Sequence, residues 1–252
     1  MSKADLTTNG ADPVVVVTGA SQGIGAEIVD FARKEGWRVA AFDVKAFEGE
    51  QSERVRAWRV DIADEGSVAT ALADAERHFG RLDALVNAAA LFTALDHKPF
   101  TEIDVDEWDR VFSVNVRGAF LLSKHITPML RRAGGGSIVL FSSNVVSFGM
   151  KDFMHYVSSK AAVVGMVRGL ARELGSDGIR ANAVAPGFVT TEVTAKERTD
   201  DYREALIARQ VIPVPTVPEE ICSVVGFLIS DQSKAMTGQT LFVNRGTHMG
   251  AV

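Results

Sequence analysis

Four consecutive valines, Val14 to Val17, run straight into Thr18-Gly19-Ala20-Ser21-Gln22-Gly23-Ile24-Gly25. No other stretch constrains the fold as much. An unbroken β-branched run suits a strand buried on both faces of a parallel sheet, not one with a wet side. Past the glycines, Ile28, Phe31 and Ala32 recur at helical spacing until Gly36 stops the helix. A glycine-rich turn between a buried strand and a helix offers bare backbone N–H groups and a helix N-terminus, an arrangement suited to phosphate.

The alternation of strand and helix continues. Strands are expected at Arg38–Phe42, Val55–Val60, Leu82–Val86, Ile138–Phe141, Arg180–Val184 and Thr240–Val243. Helices are expected around Val68–Phe79, Trp108–Leu122, Tyr156–Leu174 and from Pro218, whose position before Glu219-Glu220 suits a first helical turn. Such alternation builds a doubly wound α/β sheet, a Rossmann fold, in a single domain. Residues 1–12 read as a disordered lead-in, and 188–217, polar and rich in proline, as a substrate-binding lid. Ligands on such sheets bind at the carboxyl ends of the strands. Gly19 to Gly25, Asp43, Asp61, Asn87, Ser143 and Pro186-Gly187 all fall on that edge.

Composition narrows the functions. A net charge of −5 gives no basic footprint for nucleic acid. The single cysteine, Cys222, excludes an intramolecular disulfide and a cysteine-cluster metal site, and no metal is expected. No apolar run reaches the roughly 18 residues that span a bilayer. The N-terminus carries no apolar signal segment, so the expected setting is cytoplasmic.

Chemistry concentrates between Ser142 and Lys160. Ser142 and Ser143 close an apolar run, Tyr156 follows thirteen residues after Ser143, and Lys160 lies four beyond that. On a helix the last two share a face. An ammonium near a phenol favours the phenolate and lowers its pKa, which suits a proton shuttle. Asn115 interrupts an apolar helical stripe and needs a polar task there, which a bond to neighbouring backbone would satisfy. Asp43, eighteen residues after Gly25, is placed to bond the hydroxyls of an adenosine ribose and to repel a 2′-phosphate.

Together these pieces resemble the short-chain dehydrogenase/reductase family over nearly the whole chain: VTGASQGIG, Asp43, Asp61-Ile62, Asn87-Ala88-Ala89, Asn115, Ser143, Tyr156-Val-Ser-Ser-Lys160, Pro186-Gly187 and Thr237-Gly238-Gln239. The resemblance implies that Gly19, Ser21, Gln22, Gly23, Ile24 and Gly25 line the pyrophosphate and adenosine side of NAD. Asp43 would select NAD over NADP, Asp61 and Ile62 would flank the adenine, and Asn87 and Ala88 would lie near the cofactor. Pro186, Val189 and Thr191 would meet the nicotinamide. Tyr156 would be the general acid/base, Lys160 its tuner and a ribose ligand, Ser143 the holder of the substrate oxygen, and Asn115 the anchor of a relay water. A homo-oligomer, a tetramer, is implied as well, helped by apolar outer faces on the helices around Asn115 and Tyr156. Two departures stand out. Ala90 replaces a usual glycine, so its backbone should avoid positive φ, and Asn244-Arg245-Gly246 replaces Asp-Gly-Gly.

The pocket expected around the four comprises Ala90, Phe92, Val145, Val146, Phe148, Met150, Phe153, Met154 and Phe188, with His155 at its rim or on the surface. It suits an uncharged, fairly hydrophobic secondary alcohol or its ketone. A cyclic dihydrodiol dehydrogenase is the alternative within the family. A cofactor-binding sensor or scaffold is the alternative outside enzymes.

Overall fold

The computed structural model of the protein describes residues 12–192, 194 and 199–249, so the expected lead-in lies outside the described residues except for Asp12. Seven parallel strands pair in the order β3-β2-β1-β4-β5-β6-β7. They are β1 (Val14–Thr18), β2 (Arg38–Asp43), β3 (Val55–Arg59), β4 (Ala84–Asn87), β5 (Gly136–Phe141), β6 (Ile179–Pro186) and β7 (Thr240–Val243). Because successive side chains point to opposite faces, the valine run feeds two cores at once. Val14 and Val16 pack with α2 (Glu65–Phe79), α4 (Gly118–Ala133) and α5 (Met154–Leu174). Val15 and Val17 pack with α1 (Gly23–Lys34) and a final helix over Pro218–Ile229, called α7 below.

The helix expected around Asn115 is not one regular helix. α3 (Val105–Phe112) passes into a π-helical turn, Ser113–Arg117, before α4 begins. Asn115 lies in that turn and is buried. Such turns widen the backbone spiral by one residue and recur at functional sites. The segment between β6 and α7 carries α6 (Asp200–Ile207), and its two ends are tied where Val189 pairs with Thr216.

Among the described residues, positive φ outside glycine occurs at Asp152 and Arg245 alone. Ala90 therefore has ordinary backbone, as its side chain requires. Arg245, at φ 50°, fills a departure from the family pattern with a tether. Its carbonyl accepts from Val211 and Ile212, and its guanidinium donates to Pro215 O and the Glu220 carboxylate. Residues 211–220 are thereby held against the end of β7.

Candidate active site

The chain reverses its strand order between β1 and β4, which opens a crevice at their carboxyl ends. Gly19 leaves β1 with φ +67°, and a Cβ there would stand 2.9 Å from the Ala89 backbone. A Cβ on Gly25 would lie 2.0 Å from the Gly19 carbonyl oxygen. Only glycine lets the turn fold this tightly under α1. Thr18 donates to Asn87 Oδ1 at 2.5 Å and accepts from Ala89 N, locking β1 to the end of β4. Ser21 Oγ is buried with no hydrogen-bond partner. A buried hydroxyl left over in a glycine turn at the N-terminus of α1 fits a diphosphate.

Asp43, at the end of β2, accepts from Ser21 N and Lys45 N, both at 2.9 Å, so its carboxylate is fixed beside the turn. Gln22 is exposed and accepts from Lys45 Nζ. Ile24 and Ala88 pack on the α1–α7 core. Asp61 is exposed and accepts from Ala63 N, and Ile62 is buried where Gly118 passes close to it. Pro186 closes β6, and Val189 and Thr191 are buried just beyond.

Four polar side chains converge on the ends of β4 and β5. Ser143, Tyr156, Lys160 and Asn115 are all buried. Ser143 Oγ accepts from Val145 N at the end of β5, and Tyr156 packs into the apolar cluster beside it. Lys160 donates to the Phe141 carbonyl at 2.9 Å, and its Nζ lies 5.6 Å from the centroid of the Tyr156 ring. The remaining ammonium donors are free for another ligand. Ser142 Oγ bonds Lys160 O, tying β5 to α5. The Asn115 side chain is fully engaged: it accepts from Leu91 N, and its amide donates to Leu91 O and Ser159 Oγ. Its visible task is to join the π turn to the loop after β4 and to α5.

The expected lowering of the Tyr156 pKa by Lys160 is not found in the chain by itself. Burial pushes the phenol up, opposed in part by the neighbouring Ser143 hydroxyl. Burial also brings Lys160 down, to about 8. The lysine donates to a carbonyl rather than to the phenol, so desolvation dominates both groups.

A family model described as enoyl-(acyl carrier protein) reductase matches residues 19–248. The 3-oxoacyl-[acyl-carrier-protein] reductase FabG of Staphylococcus aureus is 35% identical over 245 residues, covering 93% of this chain and 97% of that one. The cis-4-hydroxycyclohexanecarboxylate dehydrogenase of Sinomonas cyclohexanicum is 35% identical, covering 94% and 96%. A short-chain dehydrogenase/reductase structure from Brucella melitensis superposes with a TM-score of 0.87 at 30% identity, covering 95% of this chain and 98% of that one. The chain belongs to the short-chain dehydrogenase/reductase family. Enzymes of this family work with a nicotinamide cofactor, and the glycine turn, the orphan Ser21 hydroxyl and Asp43 fit one.

Several short-chain dehydrogenase/reductase features of this chain escaped the sequence reading. His155 is neither at the rim nor on the surface: it is fully buried and bonds Glu107 Oε1 at 3.0 Å. Glu107, itself gripped by Lys98, supplies the partner that permits this burial. Phe153 lies beside Tyr156 as expected, buried, and is also stacked on His97 and edge-on to Phe92. Phe92, Val145 and Met150 cluster with Tyr156 as expected, joined by Leu91, Leu95 and Val157. Phe148 instead stacks on His248. These contacts join residues tens of positions apart, and no local pattern announces them.

Proposed function

We propose that this enzyme is an NAD(H)-dependent oxidoreductase that interconverts a fairly hydrophobic secondary alcohol and its ketone. The observation that carries the reading is the joint burial of Ser143, Tyr156 and Lys160 at the end of β5, with Lys160 Nζ 5.6 Å from the Tyr156 ring centroid. Two hydroxyls on one side of a cleft hold a substrate oxygen and hand it a proton. With the cofactor diphosphate held in the cradle, its nicotinamide would supply the hydride acceptor or donor.

Tyr156, kept protonated by burial, is poised to give its proton to a ketone oxygen as the carbon is reduced. In the oxidising direction it takes that proton back, helped by the nearby positive charges. Lys160 uses one donor on Phe141 O and offers the others to the cofactor ribose. Ser143 orients the substrate oxygen, and Asn115 holds Leu91 and Ser159 in place around it, leaving its water-anchoring role to its backbone. Asp43 takes the adenosine ribose, and its charge disfavours a 2′-phosphate. Asp61 and Ile62 border the adenine, and Thr191 and Val189 meet the nicotinamide from a lid spanning residues 188–217. The apolar wall of Leu91, Phe92, Val145 and Met150 supports an uncharged substrate.

Relatives named for a hydroxycyclohexanecarboxylate and for D-threitol support chemistry at a CH–OH carbon. The same reading makes the enzyme a cytoplasmic homotetramer. NADH absorbance turnover over a panel of acyclic, cyclic and dihydrodiol substrates tests it. Turnover of at least one apolar ketone or alcohol is expected, and binding of NADH with no turnover across the panel would favour a sensor instead.

A further inference from the structure

The first N–H of α1 is already engaged. Gly23 N donates to Glu192 Oε1 at 2.7 Å, across 169 positions of sequence. Gly23 belongs to the turn that fits a diphosphate, and Glu192 belongs to the segment following β6. That segment is not free to wander at its base. Val189 pairs with Thr216, Thr191 N donates to Thr194 Oγ1, and Thr194 Oγ1 donates to Val189 O. Thr191 and Val189 are themselves buried. A carboxylate is thus carried on a braced strap to a helix N-terminus, the place where an anion is most favoured. Beside it, Ser21 Oγ remains buried and unpartnered, so the carboxylate takes one donor of the cradle and leaves another for a larger anion.

We propose that Glu192 sets the affinity for the cofactor by competing, as an internal anion, with the cofactor diphosphate for the N-terminus of α1. The proposal rests on the cofactor reading above. The diphosphate and the carboxylate cannot both hold Gly23 N, and two anions at one helix end repel. Cofactor entry therefore displaces the Glu192 carboxylate from Gly23 N, and the lost contact offsets part of the binding free energy.

The test is an equilibrium titration with NADH, ADP-ribose and adenosine of wild type, Glu192→Ala and Glu192→Gln. The side chain is exposed, so both variants should fold, which unchanged melting checks. Removing the charge should tighten NADH and ADP-ribose about twofold to fivefold, the span expected for one exposed charge at a helix N-terminus. Adenosine, which has no diphosphate, should be unaffected. The gain should shrink in high salt, because exposed charges are screened. Unchanged or weaker ADP-ribose binding in both variants overturns the proposal, as does an equal gain for adenosine. If wild type binds neither NADH nor ADP-ribose, the cofactor reading itself fails and the proposal with it.

Discussion

Asp43 holds its carboxylate in place with two backbone donors, Ser21 N and Lys45 N, and on the proposed reading its remaining lone pairs take the adenosine ribose. Replacing it with alanine removes a fixed negative charge where a 2′-phosphate would sit. The ratio of kcat/KM for NAD over NADP should then fall by about tenfold or more, since opposed like charges cost several kcal/mol. A wild type that prefers NADP would contradict the assignment. Lys160 gives a second prediction. Burial lowers its pKa from the usual 10.5 to about 8, which at 1.36 kcal/mol per pH unit makes the charged form cost the fold about 3 kcal/mol. The unfolded chain binds the extra proton between pH 8 and 10.5, so this cost is fully felt below pH 8 and fades above it. Lys160→Met should melt at a higher temperature than wild type at pH 7, with the advantage shrinking by pH 10, while NADH binding weakens. Asp43 was legible because its position at a strand end beside a glycine turn is a local pattern. The direction of the Tyr156 and Lys160 shifts was not, because desolvation comes from distant parts of the chain.

At the scale of elements, the start of α5 decides where Tyr156 points. Its neighbour His155 is locked to Glu107 on α3, and Glu107 is locked to Lys98 in the loop after β4. Lys98 N also donates to the carbonyl of Asp152, at the positive-φ turn before α5. Glu107→Ala would leave buried His155 without its partner, a loss of about 1–3 kcal/mol. It should also lower kcat more than it raises KM for substrate, because the first turn of α5 is loosened beside the acid. The Lys98 ammonium holds the Glu107 carboxyl below the usual range, against burial. A lowered folded pKa means its contribution is present at neutral pH and lost as pH falls through that lowered value. Thermal melting against pH checks this, and Glu107→Gln should flatten the acid side. The helix of Asn115 was read as continuous, since a π turn inserts one residue without breaking the apolar stripe. The Tyr156–Lys160 spacing was legible because both lie on one helix. The Glu107–His155 pair spans 48 residues, and sequence spacing says nothing of it.

For the molecule as a whole, the parallel doubly wound sheet and the site at its carboxyl edge follow from alternation and from the valine run that feeds two cores, whereas the strand order rests on tertiary pairing. The strap after β6 was legible only as a polar segment that breaks the alternation. Its tethers, Arg245 to Glu220 and Val189 to Thr216, depend on tertiary contact. Apolar side chains remain exposed on the α3–α4 side, Phe100, Val105 and Phe120 among them. Isolated apolar groups are ordinary on a surface, but a shared face in a homotetramer would cover them. Light scattering should return about four times the chain mass, and Phe120→Glu should shift it downwards. A monomeric wild type at micromolar concentration would contradict the assembly.

The central claim is that Tyr156 moves the proton that accompanies hydride transfer. The most direct measurement compares turnover and NADH binding in wild type and Tyr156→Phe, using the best substrate from the panel. Phenylalanine keeps the buried ring and deletes only the hydroxyl. In Tyr156→Phe, kcat should fall by about 10² to 10⁴, the usual worth of a general acid/base, with NADH binding within a few-fold of wild type. Near wild-type turnover in Tyr156→Phe would mean that the proton travels by another route, and the assignment of the site would be wrong.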